Sequence, residues 1–167
     1  MSIPENQECR FENMILEHLP MFRSLSRRIL NNPVEVDDAV QSALLKAWQR
    51  RRSFRGEAQL ASWVARIVIN ESYDLLRRQQ KEKLVEFTDT DLPATESTRE
   101  QELQRLDRAI AELPELYRQT VHIAILAGYD TTTAAAMLDC SPNTLYQRIH
   151  KAKELLYEAL QNDYSEN

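Results

Sequence analysis

The sequence predicts an all-α protein made of two small helical domains joined by a flexible acidic linker, and three observations carry that reading. Gly occurs twice in 167 residues, while good helix formers such as Leu, Ala, Glu, Gln and Arg dominate. Almost no stretch alternates polar with apolar residues as a half-buried strand does. Between 86 and 100 the composition turns to Thr, Asp and Pro with few apolar residues, separating a unit over 1–85 from one over 101–167. The length suits one large domain or two small ones. With 43% hydrophobic residues the chain can pack cores, though two separate cores are each small.

The elements follow in order. Phe11, Ile15, Leu19, Phe22, Leu25 and Ile29 recur at helical spacing and predict one or two helices before Asn31-Asn32-Pro33. That tripeptide is a stop-and-restart signal, because Asn caps and Pro is tolerated at a first helical position. A helix over about 34–49 follows, with Val36, Val40, Ala43, Leu44 and Ala47 on one face. Residues 50–57 read as a basic turn around Gly56, and a long helix is expected over about 59–83. After the linker, Leu103, Leu106, Ile110 and Leu113 mark a helix. Leu113-Pro114 restarts another, which stops at Gly128. Asp130 or Thr131 caps a short helix reaching Leu138, Asp139-Cys140-Ser141 turns, and Ser141-Pro142 opens a last helix over about 142–161.

Several function classes fall away. Cys9 and Cys140 stand far apart with no CxxC pair, and His18, His122 and His150 show no metal or dyad spacing. No Ser-His-Asp order, paired-carboxylate pattern or phosphate-cradling Gly loop occurs, so neither metal, cofactor nor catalysis is expected. His122, inside an apolar run, is expected to be a packed helix residue. The N-terminus MSIPENQECR lacks an apolar signal core, and no apolar run reaches membrane-spanning length. The expectation is a cytoplasmic chain with no membrane insertion.

Net charge is −5, yet it is strongly segregated. Residues 46–83 carry ten Lys/Arg against four acids, and residues 86–115 carry nine acids against three Arg. Basic surfaces separated by an acidic connector suit nucleic-acid binding. A short helix, a turn and a longer helix with a polar outer face suggest a DNA-reading helix-turn-helix. Asn143, Thr144, Gln147 and Lys151 share one arc of the last helix with Arg148 at its edge, and Ser141 heads it. Asn, Gln and Arg make bidentate contacts to base edges, while Thr and Lys suit phosphates or base methyls. A solvated face on a helical hairpin is the plain alternative.

Residues 113–156 resemble the C-terminal promoter-binding domain of extracytoplasmic-function (ECF) sigma factors of bacterial RNA polymerase. Leu113-Pro114, Arg118, Gly128, Ala135, Leu138, Ser141, Thr144, Arg148, Ala152 and Leu155 fall on matching positions. Asp130-Thr131-Thr132-Thr133 departs from the usual Ser-Tyr-Glu-Glu, Asp139 replaces a turn Gly, and Tyr146-Gln147 replaces a Lys/Arg-Ser pair. The last change leaves the promoter sequence open. Upstream, VEVDDAVQSALLKAWQ at 34–49 resembles the helix that docks on the polymerase clamp, with Asp37, Asp38, Gln41, Leu44, Lys46 and Trp48 at matching positions. Acids beside Leu and Trp form a docking surface for a basic, apolar coiled coil; the competing reading is that Asp37 and Asp38 complement the helix dipole.

Residues 54–78 resemble the segment that binds and opens the −10 promoter element, beginning with Phe54, Arg55 and Gly56 in a base-accepting turn. Helical geometry agrees. Leu60, Val64, Ile67, Val68 and Leu75 form one stripe, and Arg66, Asn70, Tyr73 and Arg77 form another, with Trp63 at its margin and Arg78 beyond. Cations, an amide and aromatic surface are what unpaired DNA requires. Trp63 suits the core at least as well as a base contact.

The resemblance implies a sigma factor that binds core RNA polymerase at its clamp and flap, reads the −35 element with the last helix, melts the −10 element and answers to an anti-sigma protein. The linker keeps the two domains apart. One rival is a helix-turn-helix regulator acting without polymerase, which leaves the 66–77 stripe without a task. A second is a sigma-mimicking adaptor that binds protein and no DNA.

Overall fold

The structure, a computed structural model, describes residues 5–54, 59–86 and 98–165. The described residues hold helices and turns with no strand, as the composition predicts. Helices α1 (Glu5–Arg27), α2 (Pro33–Arg50) and α3 (Leu60–Glu86) form the N-terminal half, with a 3-10 turn at Arg51–Ser53. Helices α4 (Thr98–Glu112), α5 (Glu115–Thr120), α6 (Thr131–Met137) and α7 (Pro142–Ser165) form the C-terminal half. The ends of α3 and α4 reach into the stretch expected as linker at 86–100.

The apolar residues before Asn31 make one helix, running through the exposed Pro20. Packing outweighs the hydrogen bond that Pro20 forfeits, since Phe22 and Leu25 are essentially fully buried one turn on. Asn32 then caps α2, its Oδ1 accepting from Val34 N at 2.9 Å, and Pro33 occupies the first turn. Val36, Val40, Ala43 and Ala47 of α2 close on Val64, Ala65, Val68 and Ile69 of α3. The small Ala residues let α2 and α3 approach closely. Two polar pairs lie in this packing. Ser72 Oγ sits 2.9 Å from Ser26 Oγ and 2.8 Å from the Val68 carbonyl. Glu71, 6% exposed, accepts from Ser42 Oγ at 2.9 Å and Lys46 Nζ at 2.5 Å.

In the C-terminal half, Leu113-Pro114 breaks the helix, and Arg118 returns to the break. Its Nη1 donates to the carbonyls of Ala111 and Leu113, each at 3.2 Å. These are end-of-helix acceptors that α4 cannot satisfy itself. The run Val121–Leu126 widens into a π-helical segment, with Ala127 N donating to His122 O at 2.7 Å, and Gly128 ends it at φ +72°. Asp130 caps α6 through Oδ1 to the amides of Thr132 and Thr133. Its Oδ2 also accepts from Thr133 Oγ1 at 2.6 Å, so a Thr hydroxyl serves where a capping-box Glu would otherwise help. Asp139 takes φ 51°, and the amides of Asp139 and Cys140 return to the carbonyls of Ala136 and Ala135. That pair closes a Schellman turn, which requires a left-handed residue at Asp139.

One expectation is overturned. The halves do not stand apart: α3 packs against α4, α5 and α6, and the buried apolar residues of both halves form one continuous cluster. A chain of this size leaves two isolated cores with much apolar surface, and joining them removes that surface from water.

Candidate nucleic-acid interface

Helix α3 turns Arg66, Asn70 and Arg77 toward one side, where they line a cleft of about 570 Å³ with Trp63, Lys46, Arg50 and Arg118. Glu71, Asp74 and Glu115 also line it, so its five cations exceed its three acids. Phe54 and Trp63 pack with their rings tilted and 5.5 Å between centroids, both half-buried, at the N-terminal margin of the stripe. Arg77 pairs with Asp74, and Arg78, exposed, donates from Nε to the Asp74 carbonyl at 3.3 Å. Arg55 and Gly56 lie outside the described residues.

The centre of the stripe is covered. Asn70 Nδ2 donates to Glu115 Oε1 at 2.6 Å, and its Oδ1 accepts from Gln119 Nε2 at 3.3 Å and Arg118 Nη2 at 3.4 Å. Tyr73 is 3% exposed, edge-on to His122 at 5.8 Å, with the Arg118 guanidinium 5.4 Å from its ring centroid. His122 Nε2 lies 3.0 Å from the Leu25 carbonyl, which can only accept, so Nε2 carries the proton. Nδ1 then accepts from the Tyr73 hydroxyl at 3.4 Å. Arg28 Nη1 adds a bond to Leu126 O at 2.8 Å.

These surroundings shift the ionisations. Burial holds His122 down at about 4, with Arg28 adding to the effect and the Leu25 carbonyl opposing it. Burial, and then the carboxylate of Asp107, push the Tyr73 phenol above its ordinary value. Burial lowers the Arg118 pKa, with Arg77 contributing. The expectation of a packed His122 therefore holds, and burial keeps it neutral.

Helix α7 carries the second basic surface. Asn143, Gln147 and Lys151 are exposed along it, with Tyr146, 60% exposed, beside them. Ser141 and Thr144 are occupied by capping: Ser141 Oγ accepts from Thr144 N at 3.1 Å and lies 2.9 Å from Thr144 Oγ1. Arg148, half-buried, reaches the Leu138 carbonyl at 3.4 Å and ties α7 to the turn before it. Lys151 pairs with Glu154 at 3.1 Å, which raises the lysine's pKa and lowers the carboxylate's.

On α2, Asp38 and Gln41 are exposed, while Asp37 pairs with Arg23 at 2.9 Å. Trp48 is half-buried, 5.3 Å from Phe11, with the Arg51 guanidinium 3.9 Å from its ring centroid. Leu44 is half-buried, and Leu45 beside it is 63% exposed. Lys46 turns inward to Glu71.

The structure thus gathers most of the described α3, α7 and α2 residues onto three surfaces, but Tyr73, expected to face the −10 strand, is buried at 3% exposure beneath His122. Sequence reasoning foresaw a packed His122 but not its partners, and it missed the covering residues Glu115 and Gln119, for which no local signal exists. It also missed Leu45, one residue beyond the apolar stripe. Arg118 stood out in the sequence only as a position matching the family pattern; its service to the helix break comes from the structure.

Residues 14–82 match the family model described as Sigma-70 region 2, and residues 103–156 match that described as Sigma-70, region 4. The chain is similar to the ECF RNA polymerase sigma factor SigM of Mycobacterium tuberculosis, 29% identical over 150 residues covering 90% of this chain and 76% of that protein. It is also similar to the ECF RNA polymerase sigma-E factor of Escherichia coli, 27% identical, covering 95% and 91% respectively. Its fold resembles the sigma factor RpoE solved in complex with the anti-sigma factor NepR from Bartonella quintana. That match has a TM-score of 0.52 at 24% identity and covers 91% of this chain and 97% of that one.

Proposed function

From the premise that this chain belongs to the ECF sigma factors of bacterial RNA polymerase, we propose how its surfaces divide the work of the family. The chain is a transcription initiation factor that binds core polymerase and directs it to promoters. Asp38, Gln41, the half-buried Leu44 and Trp48 and the exposed Leu45 form the patch on α2 that docks on the polymerase clamp, with Asp37 and Lys46 holding its edges. Contacts of this kind place apolar anchors inside a polar rim.

Helix α7 reads the −35 duplex in the major groove. Asn143 and Gln147 face base edges, Lys151 meets phosphate, and Ser141, Thr144 and Arg148 fix the helix in position. Helix α3 and the turn before it hold the −10 strand once it is unpaired. Arg66, Arg77 and Arg78 take phosphates, Asn70 takes a base edge, and Phe54 and Trp63 supply ring surface, with Arg55 and Gly56 completing the turn and the buried Tyr73 supporting α3 from within. The whole chain supplies binding free energy and the polymerase supplies the chemistry, so it acts in the cytoplasm without catalysis of its own. An anti-sigma protein is the natural regulator, as NepR is the partner in the RpoE complex.

The observation that carries this reading is the pairing, in one chain, of a capped helix-turn-helix with a separate helix bearing cations, an amide and rings on one side. Purified chain added to sigma-free core polymerase with a promoter library should yield specific start sites. Absence of affinity for the core overturns the proposal. Asn70→Ala should reduce permanganate reactivity of the −10 element while leaving core pull-down intact, and equal loss of both overturns the role given to α3.

A further inference from the structure

Helix α7 carries an exposed ring that the fold does not use. Tyr146 is the fifth residue of α7 and is 60% exposed. Its backbone is fixed from both sides. Leu145 before it is buried in the core, Ser141 caps the helix one turn earlier, and Arg148 after it reaches the Leu138 carbonyl. At about 100° per residue, the ring lies about 60° around the helix from Asn143 and about 100° from Gln147. It stands in the first two turns, the part of a recognition helix that meets base edges in the major groove. Tyr157, also exposed on α7, is differently placed. It lies about three turns further on, and its hydroxyl accepts from Gln161 Nε2 at 2.8 Å.

The other exposed groups of this arc are polar. Asn143, Gln147 and His150 offer hydrogen bonds and Lys151 a charge, which leaves the Tyr146 ring as its apolar surface. A base pair presents one apolar group in the major groove, the 5-methyl of thymine, and cytosine lacks it. Where the ECF pattern has a Lys/Arg-Ser pair, this chain has Tyr146-Gln147. A ring in place of a cation exchanges phosphate attraction, which carries no sequence information, for a contact that depends on the base.

We propose that Tyr146 is a specificity-determining residue of α7, its ring packing on a thymine methyl of the −35 duplex beside the bases read by Asn143 and Gln147. This rests on the assignment of α7 to the −35 duplex.

The test uses holoenzyme reconstituted from core polymerase and the full chain, with −35 sequences first selected from a randomised library. Each thymine of the selected element, on either strand, is then replaced singly by deoxyuridine, which removes the methyl and leaves base pairing unchanged. With the wild-type chain, one replacement should weaken promoter binding by about fourfold, the worth of one buried methyl. Tyr146→Phe should keep that sensitivity, and Tyr146→Ala should bind the thymine and deoxyuridine promoters equally. The readout is a ratio within each chain, so an overall loss of stability or affinity does not enter it. The proposal is overturned if no replacement has an effect that depends on residue 146, or if the selected element contains no A·T pair.

Asn143→Ala and Gln147→Ala separate this role from the reading beneath it. If they relax the selected sequence while Tyr146→Ala changes neither selection nor methyl sensitivity, α7 still reads the −35 element and only the role of Tyr146 fails. If all three variants select the wild-type sequence, the assignment of α7 fails and takes Tyr146 with it.

Discussion

Acidification should weaken this protein through one side chain. His122 is fully buried and neutral, and its pKa falls from an ordinary 6.5 to about 4. A histidine with a depressed folded-state pKa takes up its proton more readily in the unfolded chain. The associated stability is therefore complete above pH 6.5 and declines as pH falls toward about 4. Applying linkage to those two values gives a loss of about 2 kcal/mol between pH 7 and pH 5. With an ordinary urea dependence for a chain of this size, the midpoint moves down by about 1 M. The assay is urea unfolding followed by circular dichroism at several pH values, run in parallel on the wild type and on His122→Gln. The comparison cancels titrations common to both chains. Gln cannot charge, so the variant starts less stable but should lose less on acidification by that same amount. Equal slopes in the two chains would show that His122 is not the buried titrating group, and the packing argument for it would fail.

Three further outcomes are expected. Arg118→Met should lower stability by about 2–4 kcal/mol in urea unfolding, because the carbonyls of Ala111 and Leu113 lose their buried donor; the unpartnered Nε of Arg118 adds nothing to be lost. Asp139→Gly should raise stability by less than about 1 kcal/mol in thermal melts, since φ 51° suits Gly and the Schellman bonds are made by backbone. For promoter binding by the reconstituted holoenzyme, Lys151→Ala should reduce the salt slope by about one without changing sequence preference, whereas Gln147→Ala should relax preference at one −35 position without changing the slope.

Much of the fold was legible because its determinants are local. Asn32-Pro33, Asp130 and Ser141-Pro142 each cap a helix within three residues of themselves, so the boundaries at α2, α6 and α7 could be read directly. The left-handed Asp139 was likewise foreseeable from its place between two helices. The exposed face of α7 was legible to the same depth. Gln147 and Lys151 share a face because helical geometry puts residues four apart together, whatever else the chain does.

Periodicity was less informative where two partners compete for one face. Tyr73 falls in the same row as Arg66, Asn70 and Arg77, and spacing alone presents all four alike. The structure separates them: Tyr73 is buried under His122, while Arg66 is half-buried at the mouth of the cleft. The same ambiguity affected α2, where Leu44 packs inward and its neighbour Leu45 faces out.

The sequence by itself determined the helices, their caps, the two polar helix faces proposed to bind nucleic acid and the family, because each depends on residues within a few turns of one another. Only the tertiary structure decided that the halves close on each other. The bonds responsible join residues 45 to 98 positions apart, and no propensity or periodicity operates over that separation. Chain folding alone brings Glu115 to Asn70 and His122 to Leu25, and so decides which of the legible surfaces is free to bind.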